Sequence, residues 1–122
     1  MVDIQGVVGQ PARLSIVRSA SAGVCVLTLR GELDADTAGL LREALTDDAA
    51  ETPPRTVLDF DAVTFMDSSG INVLVAAHRA ADAAGGWIRL ARLAGPVRRV
   101  VELVGLDTII ACRATVDEAR NL

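Results

Sequence analysis

The chain has 122 residues, 51% of them hydrophobic, which suits one domain whose single core buries about two thirds of the unfolded-state surface. Sixteen acidic against twelve basic residues give a net charge of −4, and with one Trp, two Phe and no Tyr the chain lacks both the positive field and the stacking platforms that nucleic acid requires. No run approaches the roughly 20 apolar residues that span a bilayer, and Met1 to Gln10 has neither the basic start nor the apolar stretch of an export signal, so a cytoplasmic protein without membrane contact is expected.

Residues 1–12 carry Gly and Pro11 without a sustained period and are expected to form a flexible N-terminal arm, leaving 13–122 as the folded domain. Leu14 to Val17 and Val24 to Arg30 favour strands, and Ser21, Ala22 and Gly23 between them supply the turn of a hairpin. After Gly31, Glu32, Leu33, Asp34 the period changes. Ala38, Leu41 and Leu45 share one face of a helix that Asp34 or Asp36 can cap and that ends before Pro53 and Pro54.

Thr56 to Phe60 is a short strand, Ile71 to Ala84 a largely buried helix stopped by Gly85 and Gly86, and Trp87 to Leu93 an alternating strand. Gly95 and Pro96 open a third helix with Val97, Val100, Val101 and Val104 as its apolar stripe, ending at Gly105. Thr108 to Arg113 is expected as the last strand, and Thr115 with Glu118 has the spacing of a capping box for a short terminal helix. Helices alternating with strands after a hairpin predict a single α/β domain with a mostly parallel or mixed central sheet and helices packed against it.

Every basic residue is Arg, which reflects codon bias and carries no function. Cys25 and Cys112 have no CxxC spacing and lie in apolar runs, so two ordinary buried thiols are expected. Asp59 and Asp61 flank Phe60 and are assigned to a solvated strand end. Arg98 and Arg99 are assigned to the exposed side of the third helix, as the first candidates for any anionic ligand.

The segment Phe65, Met66, Asp67, Ser68, Ser69, Gly70 does not follow from core packing, because small polar residues interrupt two apolar stretches. A loop from the strand ending at Phe60 to the following helix would expose its tip. Asp67 or Ser68 can simply cap the helix. A Ser at a helix N-terminus is also a favourable place for a phosphate, since free N–H groups and the helix dipole favour negative charge there, and the two readings are compatible. Nothing points to an enzyme. His78, the only histidine, would lie ten residues beyond Ser68, about 15 Å along a continuous helix, too far to serve as its base. No GxSxG elbow, P-loop or His and Cys cluster is present, so no catalytic residue, metal or cofactor is expected.

Gly31, Glu32, Leu33, Asp34, followed about thirty residues on by Phe65, Met66, Asp67, Ser68, Ser69, Gly70, Ile71, resembles the bacterial anti-sigma factor antagonists of the STAS domain class. The resemblance runs from about Leu14 to the C-terminus and includes the Gly85, Gly86 break and Val104, Gly105, Leu106. It implies a protein that, when unphosphorylated, binds an anti-sigma factor with serine kinase activity and frees a sigma factor. Ser68 would be the phosphorylated serine, reset by a metal-dependent serine phosphatase, while Ser69 matches a second serine that is normally unmodified. Asp34, Asp67, Ser68, Ser69 and Gly70 would form the partner-binding surface, and a homodimer stays compatible with it. The alternatives are a non-switching STAS subunit of a stress-sensing scaffold or lipid-transport complex, or a nucleotide-binding STAS domain.

Overall fold

Cys25, Leu27, Leu29 and Leu33 alternate toward one side of a strand, and all four are buried there. The computed structural model describes residues 13–48 and 53–122; the expected arm, residues 1–12, lies outside them. The elements in chain order are β1 (Leu14–Ser21), β2 (Val24–Leu33), α1 (Ala38–Asp48), β3 (Arg55–Met66), α2 (Ser68–Ala83), β4 (Trp87–Ala91), α3 (Gly95–Leu103), a 3-10 turn (Leu106–Thr108), β5 (Cys112–Arg113) and α4 (Val116–Arg120).

The sheet has five strands in the order β1-β2-β3-β4-β5, antiparallel between β1 and β2 and parallel thereafter. This is the mixed α/β architecture expected from the sequence. Because successive parallel strands always step the same way, right-handed crossovers carry α1, α2 and α3 over one face. Leu41, Leu74 and Val101 from these helices share a single core with Leu29, Leu58 and Leu90 of the sheet. On the opposite face α4 places Ala119 against Val26, Val57 and Ala91. Among the described residues no helix is long and apolar enough to cross a membrane.

Several boundaries differ from expectation, each for a local reason. Strand β1 extends through Ser21, and the turn is Ala22 and Gly23, with φ of 53° and 78°, the left-handed pair that suits a tight hairpin. The last strand shrinks to Cys112–Arg113. Thr108 instead bonds the Gly105 carbonyl through its hydroxyl, at 2.6 Å, while Leu106 and Ile110 fill the core. Val104 is 56% exposed and only caps α3, so the buried stripe is Val97 and Val101. Cys25 is buried and Cys112 half-buried; burial, the largest influence, holds the Cys112 thiol above its usual range.

Strand β3 does not end at Phe60; it runs on to Met66. Its register against β2 slips twice, between Thr28 and Arg30 and again between Gly31 and Glu32, so β3 takes one extra residue at each bulge. Asp59 sits at the first. It is not solvated: it is 5% exposed, and its two oxygens accept from Arg92 Nε and Nη2 at 3.1 Å each. Its Oδ1 also accepts the Asp61 N–H at 3.1 Å, which turns the bulge. Arg92 reaches this position from a φ of 62°, where β4 stops short of the expected Leu93. Arg92→Ala strands a buried carboxylate, and an expected loss of about 2–3 kcal/mol, checked by urea unfolding, should exceed that of Asp59→Asn, which leaves a neutral amide facing a partly exposed cation.

Candidate functional site at the ends of β2 and β3

Beyond Asp59, its last residue paired with β4, strand β3 continues beside β2 to Met66, and Leu33 pairs with Met66. The loop expected between strand and helix is therefore reduced to one residue. Asp67 donates its N–H to the Leu33 carbonyl at 3.1 Å, and α2 begins at Ser68. Asp67 is the N-cap: its backbone is extended, and Oδ1 accepts the Ser69 N–H at 2.8 Å. Ser68 is exposed, Ser69 and Asp67 are half-buried and Gly70 is buried. The capping reading thus falls on Asp67 and not on the exposed Ser68.

Gly70 lets the first turn of α2 settle onto the strand ends. A Cβ there would lie 2.8 Å from Met66 Cγ and 3.2 Å from Leu33 Cβ. Asp34 ends β2 as Asp67 ends β3, so the two carboxylates stand at the carboxyl ends of adjacent parallel strands, which are about 5 Å apart. Asp34 organises the start of α1: Oδ1 accepts the N–H of Asp36 at 2.9 Å and of Thr37 at 3.2 Å. Asp36 does not cap; it pairs with Arg13 at 2.8 Å.

Burial is the largest single influence on Asp34 and pushes its carboxyl up, but the Asp36 N–H, the Arg13 guanidinium and the Thr37 N–H together hold it below the usual carboxylate range. A carboxyl lowered on folding stabilises the protein above its unfolded value and loses that contribution as pH falls through the lowered value. The stability gap between wild type and Asp34→Asn is therefore expected to close as pH falls through the acid carboxylate range. Urea midpoints measured from pH 7 downward check this; a gap that stays constant would contradict it.

Two residues of this region escape sequence reasoning. Thr37, 4% exposed, donates its hydroxyl to the Glu32 carbonyl at 2.7 Å and accepts the Asp34 N–H at 3.0 Å, tying α1 to β2. Arg13 pairs with Asp34 at 2.7 Å, Glu32 at 2.9 Å and Asp36. An Asp-x-x-Thr spacing can suggest the first; no local signal announces the second. The other candidates stay apart from the tip. His78 lies on α2 with a buried Nδ1 that has no hydrogen-bond partner among the described residues, and exposed Arg98 donates Nε to the Leu93 carbonyl at 3.2 Å, while Arg99 is exposed.

Comparison with known proteins bears on the chain as a whole. The STAS domain family profile matches residues 15–119. The chain belongs to the STAS domain family. Among relatives of this STAS chain is the anti-sigma-F factor antagonist RsfB of Mycobacterium tuberculosis, 31% identical over 109 residues that cover 89% of the chain and 88% of RsfB. An anti-sigma factor antagonist from Mycobacterium paratuberculosis superposes with a TM-score of 0.78 at 32% identity, covering 87% of this chain and 90% of that one. The Bacillus cell fate determinant SpoIIAA, solved in its phosphorylated form, superposes with a TM-score of 0.66 at 26% identity, covering 86% of the STAS chain and 96% of SpoIIAA.

Proposed function

We propose that this chain is an anti-sigma factor antagonist, a regulatory protein without catalysis of its own. With Ser68 unmodified it binds an anti-sigma factor that is also a serine kinase and so releases a sigma factor. Phosphorylation of Ser68 ends that binding, and a metal-dependent serine phosphatase restores it. The observation that carries this reading is the exposed Ser68 hydroxyl on the first residue of α2, capped by Asp67 and flanked by Asp34, in a chain related to RsfB and to a protein solved with a phosphate attached.

The chemistry of the position supports it. A phosphate on Ser68 would benefit from the helix dipole in the free protein, yet its charge of about −1.5 to −2 would share that end of the helix with the Asp67 carboxylate. A partner closing over the tip would have to strip water from both. Asp34 and Ser69 complete the contact surface, the first by charge and the second by its small polar side chain, while Gly70 shapes it from beneath by letting α2 settle on Met66 and Leu33.

Incubation with the cognate kinase and labelled ATP tests the reading. Wild type and Ser69→Ala should each take up one phosphate and Ser68→Ala none. Stoichiometric labelling of Ser68→Ala would move the site elsewhere, and a stable complex indifferent to phosphorylation would favour a permanent scaffold subunit.

A further inference from the structure

We propose that Arg13 is the built-in counter-ion of this face: a positioning residue that holds Glu32, Asp34 and Asp36 together and sets the negative charge met by a polyphosphate delivered to Ser68. The second half rests on the reading of Ser68 as phosphoacceptor; the first stands on geometry alone.

The Arg13 guanidinium touches three carboxylates at once. Nη1 lies 2.7 Å from Asp34 Oδ2 and 2.9 Å from Glu32 Oε1, and Nη2 lies 2.8 Å from Asp36 Oδ2. Its backbone is held as firmly as its side chain. The Arg13 carbonyl accepts the Glu32 N–H at 2.8 Å, and it can approach only because Gly31 has no side chain: a Cβ on Gly31 would fall 2.0 Å from that oxygen. The same contacts hold the Arg13 guanidinium in the charged form, with Asp34 the largest contributor.

Among the described residues, Arg13 is the cation that pairs with Glu32, Asp34 and Asp36. From Gly31 to Leu41 and from Ala62 to His78, the segments that build the tip, the charged residues are Glu32, Asp34, Asp36 and Asp67, with no Arg or Lys. Arg30 precedes them but forms no ion pair among the described residues. Arg92, at the end of β4, is committed to Asp59. Losing Arg13 would remove the pairing cation of three neighbouring carboxylates, one of which, Asp34, follows the Leu33 whose carbonyl accepts the Asp67 N–H at the start of α2.

The test compares full-length wild type, Arg13→Ala and Arg13→Lys as substrates of the kinase at low and at high salt. Arg13→Ala is expected to lose about three- to fivefold in kcat/KM at low ionic strength, a loss that fades as salt shortens the range of charge interactions. Arg13→Lys should stay near wild type. A deficit that ignores salt, or none at low salt, overturns the claim about phosphorylation. In the free protein, a carbon-detected NMR titration of the Asp34 carboxyl should shift upward in Arg13→Ala; an unchanged midpoint overturns the counter-ion role itself. If wild type takes no phosphate on Ser68, the functional reading and its consequence for Arg13 fall together, while the Asp34 titration still decides the geometric half.

Discussion

Phosphorylation of Ser68 is expected to weaken the complex with the anti-sigma partner by several hundredfold, the equivalent of about 3–4 kcal/mol. The cause is desolvation. In the free protein the exposed phosphate keeps its water and gains from the N-terminus of α2. In a complex closed over the tip it would be buried beside Asp67, which already accepts the Ser69 N–H, and close to Asp34. Burying like charges without a new cation costs several kcal/mol per ion before any attraction offsets it. Ser68→Asp carries about half the charge and should lose about tenfold, whereas Ser68→Ala should bind like wild type. Fluorescence anisotropy at physiological salt, on protein phosphorylated to completion, measures all three; phosphorylated protein that binds within threefold of the unmodified form would rule out this account.

The largest effect on folding is expected from Gly31→Ala. Gly31 has a φ of 117°, a region that an L side chain rarely enters, and a Cβ there would meet the Arg13 carbonyl oxygen at 2.0 Å and its carbon at 2.9 Å. The obstacle is backbone, so it cannot rotate away. Either β1 peels from β2 at Arg13 and Leu14, or the β2 bulge beside Gly31 rearranges. An expected loss of about 3–5 kcal/mol would consume much of the roughly 5–15 kcal/mol that stabilises a domain of this kind. Equilibrium unfolding in urea gives the number. A contrast is available at Gly39, where a Cβ meets nothing within 4 Å and Ala should be neutral or slightly stabilising.

How much of this was legible in the sequence depended on whether the signal was local. The nearly continuous apolar run of β2, the apolar spacing of α1 and α2, and Thr115, whose hydroxyl accepts the Glu118 N–H at 3.0 Å, all announce themselves within a few residues. Strand β3 did not, because its two bulges break the alternation and because Asp59, Asp61 and Thr64 resemble a polar loop. What makes Asp59 a buried strand residue is Arg92, 33 positions away. The expected loop at the tip vanished for the same reason.

At the site, helix capping could be read from Asp67 and Ser68 but not which of them performs it. The preference for Ser68 over Ser69 came from family resemblance; in the fold Ser68 is exposed and Ser69 half-buried, and only labelling of the two alanine variants decides between them. Arg13 could not have been singled out. Its partner Glu32 lies 19 positions away, and the contact depends on a missing Cβ at Gly31 as much as on charge.

With a single residue between β3 and α2, Ser68, the proposed phosphoacceptor, has almost no conformational freedom to lose. A flexible loop would be ordered by its partner, and each ordered residue would cost about 1–2 kcal/mol of backbone entropy that phosphorylation could then modulate. Here that reservoir is absent. The two states of Ser68 should therefore bind with nearly the same heat capacity change, since a one-residue connection leaves a partner little to order, and coupled ordering is the usual source of a large difference. The switch would hold its discrimination over a range of temperatures, its response governed by charge and water and not by the folding of the segment that carries it.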